Sequence, residues 1–134
     1  MIGIDTNVLV RYITQDDPEQ ARIATNFIEE QCSRKIPGFI NHIVLCELVW
    51  VLRRSYRVDR EQILTVIDQI LRTVQIQVQN PQVVWRALKL ARTSEADFAD
   101  CLIAGINGAA DCSTTITFDQ RAVEINGMKL MGAK

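Results

Sequence analysis

Four acidic residues interrupt apolar or β-rich stretches of this chain, and they are the side chains best suited to do chemistry. Asp5 ends the apolar opening of the chain, Glu47 and Asp100 lie in apolar helical runs, and Asp119 follows a β-rich segment. Burying an unpaired carboxylate is costly, so a core keeps one only beside a partner or a metal ion. Because oxygen ligands suit a hard cation, the pattern predicts one shared Mg²⁺ or Mn²⁺ and chemistry on phosphate.

Simpler interpretations exist for three of these acids. Asp5 could only cap the helix that follows it, and Asp119 could be a turn residue. The helix around Glu47 is apolar nearly all round, which predicts a buried side chain. Pairing of Glu47 with a nearby arginine, or exposure to solvent, is the alternative. We favour a functional role for all three, because capping and turn formation do not account for the whole set.

Asp97 and Asp100 lie one helical turn apart and compete for the same role. Either could be a helix-start charge that the helix dipole favours. We favour Asp100 as the functional acid. N-capping is the main alternative for Asp97.

Other candidate residues have ordinary structural explanations. His42 is the only histidine, and one histidine cannot supply both acid–base groups of a metal-free ribonuclease. Trp50 and Trp85 lie among apolar helical neighbours, so packing is favoured over base stacking. A basic run follows at one helix end, where either the helix dipole or contact with RNA phosphate or an acidic partner explains it: Arg53, Arg54 and Arg57.

The bulk composition is that of an ordinary soluble protein and predicts one domain over residues 1–134. The chain is 48% hydrophobic and 23% charged, with a net charge of −1, which argues against a protein that coats nucleic acid non-specifically. No apolar stretch reaches the roughly 18 residues of a membrane span, and the start leaves no room for a signal peptide. Four cysteines without C-x-x-C spacing predict reduced thiols in a cytoplasmic protein.

Short β-rich segments alternate with amphipathic helical ones, which predicts an α/β fold. Parallel strands joined by helices gather their carboxyl ends at one edge, where such folds place their sites. Asp5 and Asp119 fall at strand ends, so we expect the acids to converge. The predicted strands are 1–5, 36–40, 75–79, 114–118 and 129–131, and the predicted helices are 16–32, 42–55, 60–73, 81–92 and 97–110.

Four segments, taken in order, resemble the successive motifs of PIN-domain ribonucleases. The likeness is greatest to the VapC toxins of bacterial and archaeal toxin–antitoxin pairs, and it covers the chain from Met1 to about Met131. The ordered set is specific although each motif alone is weak. The segments are Asp-Thr-Asn-Val-Leu at 5–9, Val-Leu-Cys-Glu-Leu-Val-Trp-Val-Leu at 44–52, Asp-Phe-Ala-Asp-Cys-Leu-Ile-Ala at 97–104 and Thr-Phe-Asp at 117–119.

The resemblance implies a three-layer α/β/α PIN-like domain with a mostly parallel central sheet. It also implies Mg²⁺- or Mn²⁺-dependent cleavage of RNA, a cognate VapB-like antitoxin whose tail blocks the site, and a homodimer. Carried over by position, the family's catalytic and metal-binding acids are Asp5, Glu47, Asp100 and Asp119. The supporting residues are Thr6, Asn7, Asp97 and Thr117.

One departure from the family pattern follows Asp119. Many relatives carry a second acid and an aromatic residue there, whereas this chain has Gln120, Arg121 and Ala122. The four principal acids are unaffected, but a further acid supporting them at this place is not expected.

Three alternative functions stay open on the sequence. A phosphatase of the haloacid-dehalogenase kind would use Asp5 as a nucleophile, but such enzymes place a second Asp two residues later, where this chain has Asn7. A catalytically silent domain could bind RNA or protein. A PIN nuclease could also act in RNA maturation with no antitoxin.

Overall fold

Parallel strands and helices alternate along the chain, as the sequence predicts. The computed structural model describes residues 1–132. The chain divides into two compact units, the first comprising Met1–Gln79 and the second beginning at Asn80. Each unit is described by itself.

The first unit contains three strands, four helices and one π-helical turn that continues α2. Their order along the chain is β1 Ile2–Gly3, α1 Thr6–Thr14, α2 Pro18–Asn26, the π-helical turn Phe27–Gln31, β2 Gly38–Ile40, α3 His42–Arg54, α4 Arg60–Arg72 and β3 Ile76–Val78.

The strands of the first unit form one parallel sheet in the order β1-β2-β3. Ile2 pairs with Gly38, and Gly38 pairs with Ile76. The predicted α/β class with parallel pairing is therefore confirmed. The predicted strand 75–79 corresponds to β3, which has a neighbour on one side only within this sheet.

The prediction that residues 1–5 form a buried strand is wrong for most of the segment. Ile2 is 49% exposed, and only Ile4 reaches the core. Within the sheet of the first unit β1 has a neighbour on one side only, and a two-residue edge strand leaves part of its surface uncovered. An apolar run alone does not distinguish an edge strand from a central one.

Polar caps set the starts of three helices in this unit. The side chains of Asp17, Asn41 and Asp59 each accept a hydrogen bond from the backbone N–H three residues later. These bonds satisfy donors that a helix start leaves unpaired. Side chains from every layer of the unit fill its core, and the most completely buried are Leu9, Ile28, Ile40, Leu45, Leu48, Leu52 and Ile67.

As far as residue 132, the second unit contains two helices, two strands and a short 3₁₀ turn. They are α5 Pro81–Arg92, α6 Phe98–Ala109, β4 Thr115–Thr117, the 3₁₀ turn Ala122–Glu124 and β5 Met128–Leu130. The two strands pair in parallel, with Thr115 opposite Met128. Pro81 occupies the first turn of α5, as predicted.

Close helix packing explains one glycine of α6. A Cβ added at Gly105 would lie 3.2 Å from Cγ1 of Val83 on α5, so the absence of a side chain lets the two helices approach. The core of the unit is built from both helices and the 3₁₀ region, with Val84, Leu88, Cys101, Leu102 and Ile125 essentially buried.

The cysteines are free thiols, as predicted. Cys32 and Cys101 are buried and Cys46 is half-buried, but Cys112 is exposed. Cys112 follows the end of α6. Among residues 1–132 no helix has both the length and the apolar character needed to cross a membrane.

Candidate active site

Asp5 lies between the end of β1 and the first residue of α1. It occupies the N-cap position of α1, but its side chain makes no capping hydrogen bond. The capping alternative therefore does not explain this acid. Asp5 and the supporting residue Asn7 are both exposed, which leaves their side chains accessible to a ligand.

Thr6 and Glu47 are brought together in the first unit. The Thr6 hydroxyl, on a side chain that is almost fully buried, donates a 2.6 Å hydrogen bond to Oε1 of Glu47. This bond joins the start of α1 to the second turn of α3. It fixes one carboxylate oxygen of Glu47 and leaves Oε2 able to accept from a ligand.

The predicted burial of Glu47 is wrong, because the residue is exposed. Helix α3 buries one face through Val44, Leu45, Leu48, Val49 and Leu52, and Glu47 lies outside this set. Apolar residues on the remaining face gave the sequence the pattern of a fully buried helix.

Three acids are brought together in the second unit. Asp100 is half-buried in the first turn of α6. Burial raises the pKa of its carboxyl, and the nearby charges of Asp119 and Asp97 raise it further. Like charges destabilise the ionised form of a partly desolvated acid. The Asp97 side chain makes no capping hydrogen bond, so capping does not explain that residue.

Asp119 is exposed and is held by its own turn. Its backbone N–H donates to Oγ1 of Thr117 at 3.0 Å, and its Oδ1 accepts from the Arg121 backbone N–H at 2.9 Å. The turn interpretation is therefore correct for one oxygen of Asp119. The other oxygen is not used in this turn, and Thr117 acts by ordering the backbone that carries the acid.

The four motif acids were identified from their positions in apolar or β-rich stretches, yet among them only Asp100 is even half-buried. The available donors are carboxylate and hydroxyl oxygens, which in kind suit Mg²⁺ or Mn²⁺. Within residues 1–132, no three His, Cys, Asp or Glu side chains are grouped closely enough to hold one metal ion. Coulomb effects extend further than a metal–ligand bond of about 2.1 Å, so acids can perturb one another without sharing a ligand position.

A polar network that the sequence did not reveal joins α1 to the segment after α3. Asp16 accepts hydrogen bonds from Tyr56 at 2.6 Å and from Thr14 at 2.8 Å, and it forms an ion pair with Arg11. These contacts, with the Tyr56 hydrogen bond first among them, lower the pKa of Asp16 to about 2. The sequence identified Asp16 only as an acid near a helix start, and nothing in the spacing pointed to Tyr56.

A second unpredicted contact lies on α3. The Arg54 guanidinium carbon is 5.6 Å from the centroid of the Trp50 ring. Their separation of four residues is a helical neighbour spacing, so the sequence did contain this signal. Trp50 is 53% exposed, so it does not pack in the core, and packing at an interface stays a prediction.

A groove of about 610 Å³ in the first unit is mostly apolar and contains none of the acids. Its lining includes Asn7, Val8, Arg11, Ile23 and Phe27. This apolar groove therefore differs in chemistry from a site built on carboxylates.

Comparisons with known proteins place this arrangement in a family. A family model described as the PIN domain matches residues 2–127. A protein named VapC ribonuclease, from Aquifex aeolicus, is 29% identical over 99 residues, which cover 74% of this chain and 73% of that protein.

One solved structure is also similar, namely the crystal structure of VapBC2 from Rickettsia felis bound to a DNA fragment from their promoter. It shares 21% identity, covers 97% of each chain and gives a TM-score of 0.37. The family assignment depends on the domain match, which spans most of the chain and includes Asp5, Glu47, Asp100 and Asp119. The chain belongs to the PIN-domain family.

Proposed function

We propose that this protein is a metal-dependent endoribonuclease and the toxin of a type II toxin–antitoxin pair. The observation that carries the proposal is the match of residues 2–127 to the PIN domain, a range that contains all four motif acids. The similarity to a VapC ribonuclease over 74% of the chain supports the narrower assignment. The RNA substrate and the cognate antitoxin are parts of this proposal.

The proposed site residues are Asp5, Glu47, Asp100 and Asp119, which would hold Mg²⁺ or Mn²⁺, with Asp97 as an additional acid. Mg²⁺ keeps several of its waters and uses only one or two carboxylates, so a close cage of protein ligands is not required. When bound, such an ion acidifies water and offsets charge on the scissile phosphate.

The remaining steps belong to the side chains themselves. Glu47, with Oε1 fixed by Thr6, would use Oε2 to orient the attacking water. Asp119, held at Oδ1 by its turn, would present its second oxygen to the site. Asp100 would be ionised when a cation offsets the charges of Asp97 and Asp119, which otherwise raise its pKa.

Cleavage of a mixed RNA pool by the purified protein tests the nuclease. Reactions contain Mg²⁺, Mn²⁺ or EDTA, and Asp5→Asn and Asp111→Asn proteins are compared in parallel. We expect metal-dependent cleavage that is lost in Asp5→Asn and retained in Asp111→Asn, an equal change in charge at an exposed residue outside the proposed site. Full activity of Asp5→Asn would refute the assignment of the acids.

The antitoxin is tested in cells. Induced expression of the chain should arrest growth, the Asp5→Asn variant should not, and co-expression of a small neighbouring reading frame should restore growth. RNA cleavage in vitro without any effect on growth would instead favour the alternative of a PIN nuclease in RNA maturation.

A further inference from the structure

Helix α3 presents an exposed face that its own core does not cover. Ile43, Glu47, Trp50 and Arg54 follow one another at spacings of four, three and four residues, which places them in one stripe along the helix. Ile43 is 71% exposed and Trp50 is 53% exposed, while Glu47 and Arg54 are also exposed. These four residues are called the Trp50 face.

The Arg54 guanidinium lies over the Trp50 ring on this face. The guanidinium carbon lies 5.6 Å from the indole centroid, within the range of a cation–π contact. The contact favours this orientation of an exposed aromatic side chain. An exposed indole ring and a guanidinium plane are each groups on which nucleic-acid bases stack.

We propose that Trp50 and Arg54 form a stacking platform for a base of single-stranded RNA, which rests on the ribonuclease function proposed above. Glu47 is three residues before Trp50, or about 4.5 Å along the helix axis. A base on Trp50 therefore belongs to a nucleotide close to the scissile phosphate. The platform positions RNA relative to Glu47 and takes no part in the chemical step.

Charge favours RNA over a second copy of this chain as the occupant. Arg54 and Arg57 are both exposed at the end of α3, and their two positive charges outweigh the roughly half negative charge of a helix C-terminus. Phosphates of a strand stacked on Trp50 would meet these guanidinium groups. The Trp50 face of a second copy would bring only the Glu47 carboxylate to these two guanidinium groups and would add its own arginines, whereas an RNA strand carries a negative charge at every phosphate.

Tryptophan fluorescence tests the contact directly. Trp50 and Trp85 are the only tryptophans, so Trp85→Phe leaves Trp50 as the sole reporter, and Asp100→Asn in the same protein prevents cleavage. Titration with a short single-stranded RNA of mixed sequence in Mg²⁺ should quench the fluorescence to saturation. A matched Trp50→Phe, Asp100→Asn protein, which reports from Trp85, should show no such change. Unchanged Trp50 fluorescence overturns the proposal.

Cleavage kinetics of proteins that carry a single substitution at Trp50 test its role in positioning RNA. Trp50→Ala should raise KM about tenfold with kcat little changed, which corresponds to about 1.4 kcal/mol of stacking. Trp50→Phe, which keeps an aromatic ring, should recover most of this loss, whereas Trp50→Leu should not. Equal KM values for Trp50→Ala and the native protein overturn the platform, and circular dichroism verifies that each variant is folded.

The salt dependence of RNA affinity tests the proposed contact between Arg54 and an RNA phosphate. Arg54→Gln should reduce the slope of log affinity against log salt by about 0.7, the contribution of one phosphate contact on a single strand. Arg34→Gln removes the same charge from an exposed residue before β2 and should leave the slope unchanged. Equal slopes for both variants and the native protein overturn the phosphate contact.

The possible outcomes distinguish a failure of the stacking platform from a failure of the proposed nuclease function. RNA cleavage that is indifferent to Trp50 refutes the platform and leaves the nuclease intact. Absence of cleavage by the native protein refutes the nuclease, while saturable quenching of Trp50 by RNA still supports the platform. A dimer that Trp50→Ala converts to a monomer, with no response of Trp50 to RNA, shows that the face binds protein and overturns the proposal.

Discussion

The proposed function requires the Asp100 carboxyl to be ionised, but the ionised carboxylate destabilises the metal-free fold. Partial burial and the charges of Asp119 and Asp97 raise its pKa, so the folded protein binds a proton there more tightly than the unfolded chain does. Its contribution to stability is therefore present below the ordinary pKa of 3.8 and is lost as pH rises through the folded-state value. At neutral pH this carboxylate destabilises the metal-free fold.

We predict that Asp100→Asn loses activity and gains stability. RNA cleavage should fall by about 10²- to 10⁴-fold, the range typical of a lost acid–base or orienting group, while the melting temperature without metal at pH 7 should rise. The amide keeps the shape of the carboxyl and carries no charge. Cleavage assays and thermal melts check both effects. A variant that melts lower than the native protein would show that repulsion does not dominate at this residue.

A second prediction at the scale of single residues follows from the Thr6–Glu47 hydrogen bond. Thr6→Val removes the hydroxyl and keeps the side-chain shape, so it should cost about 1 kcal/mol of stability and lower cleavage by freeing Glu47. Thr6→Ser keeps the hydroxyl and should retain most of the activity. Urea unfolding and initial cleavage rates check these effects. Equal rates for the Val and Ser variants would show that Thr6 does not position Glu47.

The sequence predicted which acids matter better than it predicted their surroundings. Glu47 was identified from a carboxylate in an apolar helix, yet it is exposed, because apolar residues on a helix do not show which face the protein covers. Thr6 was expected to support the acids, and the structure shows the contact by which it can do so, a hydrogen bond from its hydroxyl to Glu47. That bond joins residues 41 positions apart and has no local sequence signal.

At the scale of the elements, the sequence predicted the starts of helices best. The predicted helices 42–55 and 60–73 correspond to α3 His42–Arg54 and α4 Arg60–Arg72. Asn41 and Asp59 made this possible because capping depends on residues within three positions. The burial of β1 was predicted less well, since it depends on which segment covers its free edge.

Two acids at helix starts should behave differently when removed. Asp59 accepts from the Gln62 backbone N–H, so Asp59→Ala should cost about 1 kcal/mol. Asp97 makes no capping hydrogen bond, and removing it relieves the like-charge effect on Asp100, so Asp97→Ala removes no cap and should cost less than Asp59→Ala. Urea unfolding of both variants gives the comparison. An equal cost for the two would show that Asp97 stabilises the fold as much as a capping acid does, and would contradict this prediction.

The network around Asp16 predicts an acid-sensitive contact between elements of the first unit. Its pKa is lowered to about 2, so its stabilisation is present above the ordinary value of 3.8 and is lost as pH falls toward 2. Asp16→Asn should lower stability at pH 7 and flatten the pH dependence across this window. Glu19→Gln, which removes an exposed ion-pair partner of Arg22, should have little effect. Identical pH profiles for the Asp16→Asn and native proteins would contradict this account.

At the scale of the whole molecule, the domain match spans residues 2–127 and so includes residues of both compact units. The single-domain prediction stays a prediction, as does the homodimer. The ordered motifs identified the family because their sequence separations run along the whole chain. The pairing of β4 with β5 as a separate two-stranded sheet could not be predicted, since strand order follows from long-range packing rather than from local pattern.

Metal binding should be visible as a property of the whole fold. A ligand that binds only the folded state stabilises it by about 2.7 kcal/mol at a hundred times its dissociation constant, so Mg²⁺ or Mn²⁺ should raise the melting temperature of the native protein. Asp100→Asn should start higher and respond less, because it lacks both the repulsion and the ligand. Asp111→Asn is the control: its backbone φ of 69° is a conformation that asparagine tolerates, and it should respond like the native protein. If Asp100→Asn and Asp111→Asn gain equally from metal, the cation acts elsewhere on the surface and the proposed ligands are wrong.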